Sequence, residues 1–228
     1  MTSSLTIFDC DGVLVDSERL AHRAFLEVVA PLGLVMELEE AMTLFRGRKM
    51  SECIQEVERR LGSALPERFV VEFRNRQSAI FREALQPIEG IAEALGEIDP
   101  PICVASSGPR EKIVLTLTLT GLIDRFAGAI FSAYEVGSWK PEPGLFLHAA
   151  AAHGVSPERC IVVEDSVPGV LGAVAAGMPV LGYAADNDGE ELRSAGATIF
   201  TSMRDLPALI QSIRQQQVEN NADKRHEG

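Results

Sequence analysis

The sequence predicts an α/β fold: a doubly wound, Rossmann-like parallel sheet into which an all-helical cap domain is inserted. Three observations predict it. Short apolar runs at 5–9, 102–105, 129–131, 161–163 and 180–181 are continuous rather than alternating, the mark of strands buried on both faces. Helix-like segments at 110–119, 144–153 and 167–176 lie between them, each followed by a glycine, Gly121, Gly154 or Gly177, suited to ending a helix. Directly after the first strand, from 17 to 84, the pattern is helical throughout and offers no convincing strand.

Taken in chain order, the core is expected over 1–16 and 85–214, the inserted helical domain over 17–84, and a polar, frayed tail over 215–228, where apolar periodicity is lost. The 228 residues are 46 % hydrophobic and 24 % charged, the balance of a soluble globular enzyme with a full core. With 21 basic against 33 acidic residues the net charge is −12, which argues against nucleic acid and anionic membrane as partners. The excess is uneven: residues 40–85 carry nine Lys or Arg against seven Glu, so the rest of the chain holds −14. Cys10, Cys53, Cys103 and Cys160 lie far apart without a CxxC pair, fitting neither a disulfide framework nor a zinc ribbon and pointing to a reducing cytoplasm. The first nine residues lack a basic region and a signal-length apolar run, and no stretch approaches the roughly 18 apolar residues of a membrane span.

Parallel sheets of this kind bind ligands outside the carboxyl ends of their strands, and four polar motifs fall there. The first strand runs into Asp9, Cys10, Asp11 and Gly12. Two aspartates two apart on an extended strand end point the same way, so that one can attack while the other gives and takes a proton; the same residues also make an ordinary turn. After the second strand, the Ser106 hydroxyl and the backbone N–H groups of Ser107 and Gly108 can cradle a phosphate or simply cap a helix. Lys140 stands in a proline-stiffened loop after the third strand, placed to neutralise a phosphoryl group and an aspartate, or merely solvated. The fourth strand ends in Glu164 and Asp165, adjacent carboxylates suited to Mg²⁺ or to an acidic helix cap.

The order Asp-x-Asp-Gly, Ser, Lys, Glu-Asp resembles the haloacid dehalogenase superfamily of aspartate-nucleophile phosphohydrolases, over about residues 5–209. The helical insertion resembles the cap of the subgroup that holds sugar-phosphate phosphatases and beta-phosphoglucomutase. Within it, Phe131 to Tyr134, Trp139 to Pro143, His148 and Ala176 to Met178 are most similar to bacterial 6-phosphogluconate phosphatases. The resemblance implies Asp9 as nucleophile, Asp11 as general acid and then base, and Ser106 and Lys140 as phosphate stabilisers. It implies Mg²⁺ held by Asp9, the Asp11 carbonyl and Asp165, with Glu164 binding directly or through water. The implied substrate is a small phosphorylated metabolite, and the implied assembly a monomer or weak homodimer. Asp11 separates the chain from dehalogenases, which do not need that second acid, and from phosphonoacetaldehyde hydrolases, whose imine-forming lysine Lys49 could otherwise suggest.

In the insertion, Arg46, Gly47, Arg48 and Lys49 set three cations around a glycine, either a solvated loop or a site for a second anion on the substrate. In the resembled subgroup this loop faces the active site when the cap closes. Arg74 and Arg76 can assist or lie on the wet face, and His22, His148 and His153 suit ordinary helix positions. The competing reading is a phosphosugar mutase with the same aspartyl phosphate; against it, the cap histidine of beta-phosphoglucomutases aligns with Ala21, one position before His22.

Overall fold

A strand buried on both faces must find apolar neighbours on each, and β1 (Leu5–Phe8) does so with the period of two that a pleated strand imposes. Leu5 and Ile7 join one cluster, with Leu145, Phe146, Val162 and Val170. On the other face the Phe8 ring meets Phe126 edge-on at 5.9 Å, and the buried Thr6 hydroxyl accepts a hydrogen bond from Arg214 at 3.2 Å. A computed structural model of the chain describes residues 4–45, 48–126, 128–185 and 188–226.

After β1 come α1 (Glu18–Val29), α2 (Leu38–Phe45), α3 (Met50–Leu61) and α4 (Phe69–Ala84). The alternation then resumes with α5 (Ile91–Glu97), β2 (Ile102–Ser106), α6 (Arg110–Leu119), β3 (Ile130–Ser132), α7 (Ala133–Val136) and α8 (Gly144–Ala152). It closes with β4 (Cys160–Glu164), α9 (Val167–Ala175), β5 (Val180–Tyr183), α10 (Glu190–Ser194), β6 (Thr198–Phe200) and α11 (Leu206–His226). The six strands form one parallel sheet in the order β3-β2-β1-β4-β5-β6. The winding therefore reverses beside β1, whose Phe8 pairs with Val104 on one side and Val163 on the other. That reversal is the topological switch point where such sheets open a crevice for ligands.

The chain divides into two units, Met1–Val15 with Pro87–Gly228, and Asp16–Gln86. In the first, Val15 bridges to Pro87, and the Ile88 N–H donates to the Leu14 carbonyl at 3.0 Å. In the second, the Asp16 N–H donates to the Gln86 carbonyl at 3.0 Å. The helical unit has its own core, in which the Phe25 ring touches Phe45, Phe69 and Phe73 at 5.0, 5.8 and 5.6 Å. Its His22 lies on α1 with Nδ1 2.8 Å from the Glu18 carbonyl.

Two features differ from the sequence expectation. A sixth strand, β6, lies at the sheet edge; it has only three residues and its first is exposed, so it lacks the continuous apolar run of its neighbours. Residues 215–226, expected to fray, continue the backbone of α11, because no Gly or Pro interrupts the helix before Gly228. Among the described residues, no helix is long and apolar enough to cross a membrane. All four cysteines are free and buried.

Candidate active site

The chain leaves β1 by a tight turn. The Asp9 N–H extends the ladder to Val163 at 2.9 Å, and the Gly12 N–H donates to the Val15 carbonyl at 2.9 Å. Gly12 has φ +76°, a conformation open to glycine, and any Cβ there would overlap the Asp165 carboxylate. Asp9 to Gly12 thus make the turn that the sequence allowed. The turn lets the backbone come close enough to Asp165 for the first and fourth motifs to meet.

Lys140 reaches the same point from the loop between α7 and α8. Its Nζ lies 2.5 Å from Asp9 Oδ1 and also bonds Glu164 Oε1. The second Glu164 oxygen accepts from the Asp165 and Ser166 N–H groups at 3.1 and 3.0 Å and from the Ser166 hydroxyl at 2.9 Å. Glu164 is fully buried and committed through both oxygens, while Ser166 also caps α9 by accepting from Gly169 N–H at 3.2 Å. Burial pushes the Asp9 carboxyl up to about 7; the Lys140 ammonium opposes this, and the Glu164 and Asp11 charges add to it. Burial also works against the Lys140 ammonium, yet Asp9 and then Glu164 hold its pKa above the ordinary lysine range.

Ser106 ends β2, two positions beyond the residue that pairs with Phe8, and is buried. Its Oγ accepts from the Gly108 N–H at 3.1 Å, and the Ser132 hydroxyl donates to the Gly108 carbonyl at 2.7 Å. These bonds fix the loop, with Ser107 exposed beside them. From the first turn of α6, Lys112 reaches across to place Nζ 2.7 Å from Asp11 Oδ2. Sequence reasoning missed this residue. Its signal was a lysine in the first turn of a helix, the end where the helix dipole disfavours a cation.

The donor set fits a divalent cation. Asp9, Glu164 and Asp165 offer oxygens within 4.8 Å of one another. Around them four carboxylates, Asp9, Asp11, Glu164 and Asp165, face two ammonium groups, Lys112 and Lys140, leaving two negative charges uncompensated when all are ionised. Hard oxygen donors with that surplus suit a hard divalent cation.

The structure thus gathers Asp9, Asp11, Lys140, Glu164 and Asp165, with Ser106, Ser107 and Gly108 on the adjoining loop. The cap residues belong to the other unit. There Arg48 is exposed, and Lys49 precedes α3 with its N–H donating to the Glu52 carboxylate at 3.3 Å. Arg46 and Gly47 lie outside the described residues. Much of the positive charge in that unit is paired locally: Arg59 and Arg60 bind Glu56, Arg68 binds Glu72, and Arg76 binds Glu27.

A family model for haloacid dehalogenase-like hydrolases matches residues 4–177. The 6-phosphogluconate phosphatase of Escherichia coli is 36 % identical over 203 residues, covering 89 % of this chain and 92 % of that protein. Hexitol phosphatase B of the same organism is 33 % identical over 177 residues, covering 75 % and 79 %. A solved haloacid dehalogenase-like protein from Agrobacterium tumefaciens is 36 % identical, superposes with a TM-score of 0.80, and covers 92 % of this chain and 98 % of that one.

Proposed function

The chain belongs to the haloacid dehalogenase-like hydrolases and is a phosphatase, and we propose that it hydrolyses small acidic sugar phosphates such as 6-phosphogluconate with Mg²⁺, through an aspartyl phosphate. The observation that carries this reading is the pair of carboxylates in one turn at the switch point, Asp9 bound to Lys140 and Asp11 bound to Lys112.

In the first half-reaction an Asp9 oxygen attacks phosphorus in line with the leaving sugar oxygen. The bond from phosphorus to that oxygen breaks, and Asp11 gives it a proton. In the second half a water attacks the phosphorus of the aspartyl phosphate and passes its proton to Asp11. The bond to Asp9 breaks, releasing inorganic phosphate and restoring the carboxylate. Ser106 already accepts from Gly108 N–H, which leaves its own O–H to donate to a phosphoryl oxygen. Ser107 contributes its N–H, and Gly108 keeps the approach free of a side chain. Lys140 offsets charge on the phosphoryl oxygens and orients Asp9, itself oriented by Glu164. Asp9, Asp165 and the Asp11 carbonyl are the residues that would hold Mg²⁺, with Glu164, already engaged through both oxygens, as the anchor of Lys140. When bound, the cation offsets the charge on phosphate and nucleophile so that two anions can approach. Arg48 and Lys49 are proposed to meet the second anion of the substrate; Arg46 and Gly47 of the same loop lie outside the described residues.

Phosphate release across a panel of phosphorylated metabolites, with Mg²⁺ and after EDTA, tests this reading. Release from 6-phosphogluconate that EDTA abolishes and Mg²⁺ restores is expected; full activity after rigorous metal removal would overturn the metal assignment. Incubation with glucose 1-phosphate separates the mutase alternative, since a phosphatase yields free phosphate and a mutase an isomeric sugar phosphate.

A further inference from the structure

We propose that Lys112 is a positioning residue for Asp11, holding one carboxylate oxygen so that the side chain keeps the orientation needed to deliver a proton to the leaving sugar oxygen. The inference rests on the reading of Asp11 as acid and base given above. Three observations carry it.

The first is reach. Lys112 is separated from Asp11 by 101 residues, yet its Nζ lies 2.7 Å from Asp11 Oδ2. Its stem passes the phosphate loop, with Cδ 3.5 Å from where a Cβ on Gly108 would stand, so the lysine links the second motif to the first. The second is shelter: 20 % of the Lys112 side chain and 26 % of the Asp11 side chain are exposed, so the pair is screened far less than open surface pairs such as Arg19–Glu39 and Arg68–Glu72. The third is location. Lys112 stands in the first turn of α6, where the aligned peptide dipoles repel a cation, and its bond to Asp11 offsets that cost. A lysine with no role there would suit the other end of the helix.

The consequence follows from rotamer statistics. An aspartate just beyond a strand has three staggered χ1 wells, and only one points its carboxylate at a given spot. Anchoring Oδ2 selects a well before substrate arrives, and preorganisation of this kind governs the rate of a positioned proton transfer rather than binding.

The test uses the full-length enzyme with Mg²⁺ in single-turnover mode. Release of the alcohol from an alkyl substrate, 6-phosphogluconate, is compared with release of p-nitrophenol from p-nitrophenyl phosphate. The alkoxide needs a proton to leave, and the p-nitrophenolate does not. Lys112→Met, which keeps the stem and removes the charge, is expected to slow alkyl release at least tenfold and aryl release no more than about threefold, with KM for both within twofold. Lys112→Arg is expected to restore most of the alkyl rate. Equal losses on both substrates mean a purely structural role and overturn the proposal. A raised KM with kcat unchanged means that Lys112 binds phosphate instead and also overturns it. Lys112→Gln carries the same outcomes if the Met variant does not fold. Asp11→Asn is run beside them: if it fails to separate alkyl from aryl release, the reading of Asp11 falls, independently of Lys112.

Discussion

At the strand ends, Lys140 has 5 % of its side chain exposed and lies between Asp9 and Glu164, whereas in the inserted unit Arg59 binds Glu56 with 68 % of its side chain in water. Both are ion pairs of good geometry. In the first, burial away from water raises the Asp9 carboxyl to about 7 even though the Lys140 ammonium opposes the rise. In the second, solvent screens the pair, and such contacts contribute little to stability. The lesson is that the local charge of residues 40–85, which drew attention in the sequence, says less than the burial of a few charges in the sheet unit.

The largest expected effect tests the buried cluster. Asp9→Asn should lower kcat by at least about a thousandfold, since an amide cannot form the acyl phosphate, while circular dichroism and the thermal midpoint stay near those of the parent protein. Retained steady-state activity, free of parent contamination, would break the assignment.

Next is Gly169→Ala. Its Cβ would overlap the carboxylate of Glu164, a side chain with no exposure and bonds to both oxygens, so the clash cannot be relieved by swinging the glutamate into water. A stability loss of about 1–3 kcal/mol is expected from urea unfolding, together with a fall in activity of about tenfold or more as Lys140 loses its anchor. An alanine elsewhere on α9 would serve as the control.

A smaller, selective effect is expected from Arg48→Ala or Lys49→Ala. If these cations meet a second anion, kcat/KM should fall about tenfold on 6-phosphogluconate, equivalent to roughly 1.4 kcal/mol, and much less on glucose 6-phosphate, which lacks the carboxylate. Equal losses on the two substrates would remove the basis for the acidic-sugar reading.

The smallest concerns Glu56, whose carboxyl is pulled from 4.5 to about 2 by hydrogen bonds from Arg59 and Arg60. A depressed folded-state pKa contributes stability above the unfolded value that is lost as pH falls through the folded one, here from about 4.5 down to about 2. The pair lies at the surface, with 68 % of the Arg59 side chain in water, so Glu56→Gln should shift the neutral-pH thermal midpoint by no more than about 3 °C, and salt should shrink that shift. A larger shift would erase the contrast between the two regions.

What the sequence disclosed followed from local pattern. Continuous apolar runs marked β1 to β5, and the boundaries of α6 were readable because Pro109 precedes it and Gly121 follows. Asp9, Asp11 and Asp165 were legible because each stands just past a strand, where topology gathers ligands, and Lys140 because it stands in a proline-stiffened loop. The strand β6 was hidden because it has only three residues and begins with an exposed threonine, so it shows no continuous apolar run. Lys112 was hidden for another reason. Its partner lies 101 residues away, and no local periodicity encodes a contact made by register across the sheet. Glu164 was legible as an acid but not as an anchor, because its hydrogen bonds depend on how the turn after β4 folds back.

The side-by-side hydrogen bonds at Leu14–Ile88 and Asp16–Gln86 bear on how the sheet can assemble. Thr6 and Ile102 are partners 96 positions apart, and 71 of the intervening residues belong to the helical unit. Once that unit has folded, its two ends lie next to each other and the chain between β1 and β2 behaves as a loop of about 25 residues, which lowers the entropy cost of closure by about 1 kcal/mol. The insertion then shortens the effective contact order of the central strand pair, so a segment that makes the sequence longer makes the first parallel pairing easier to reach.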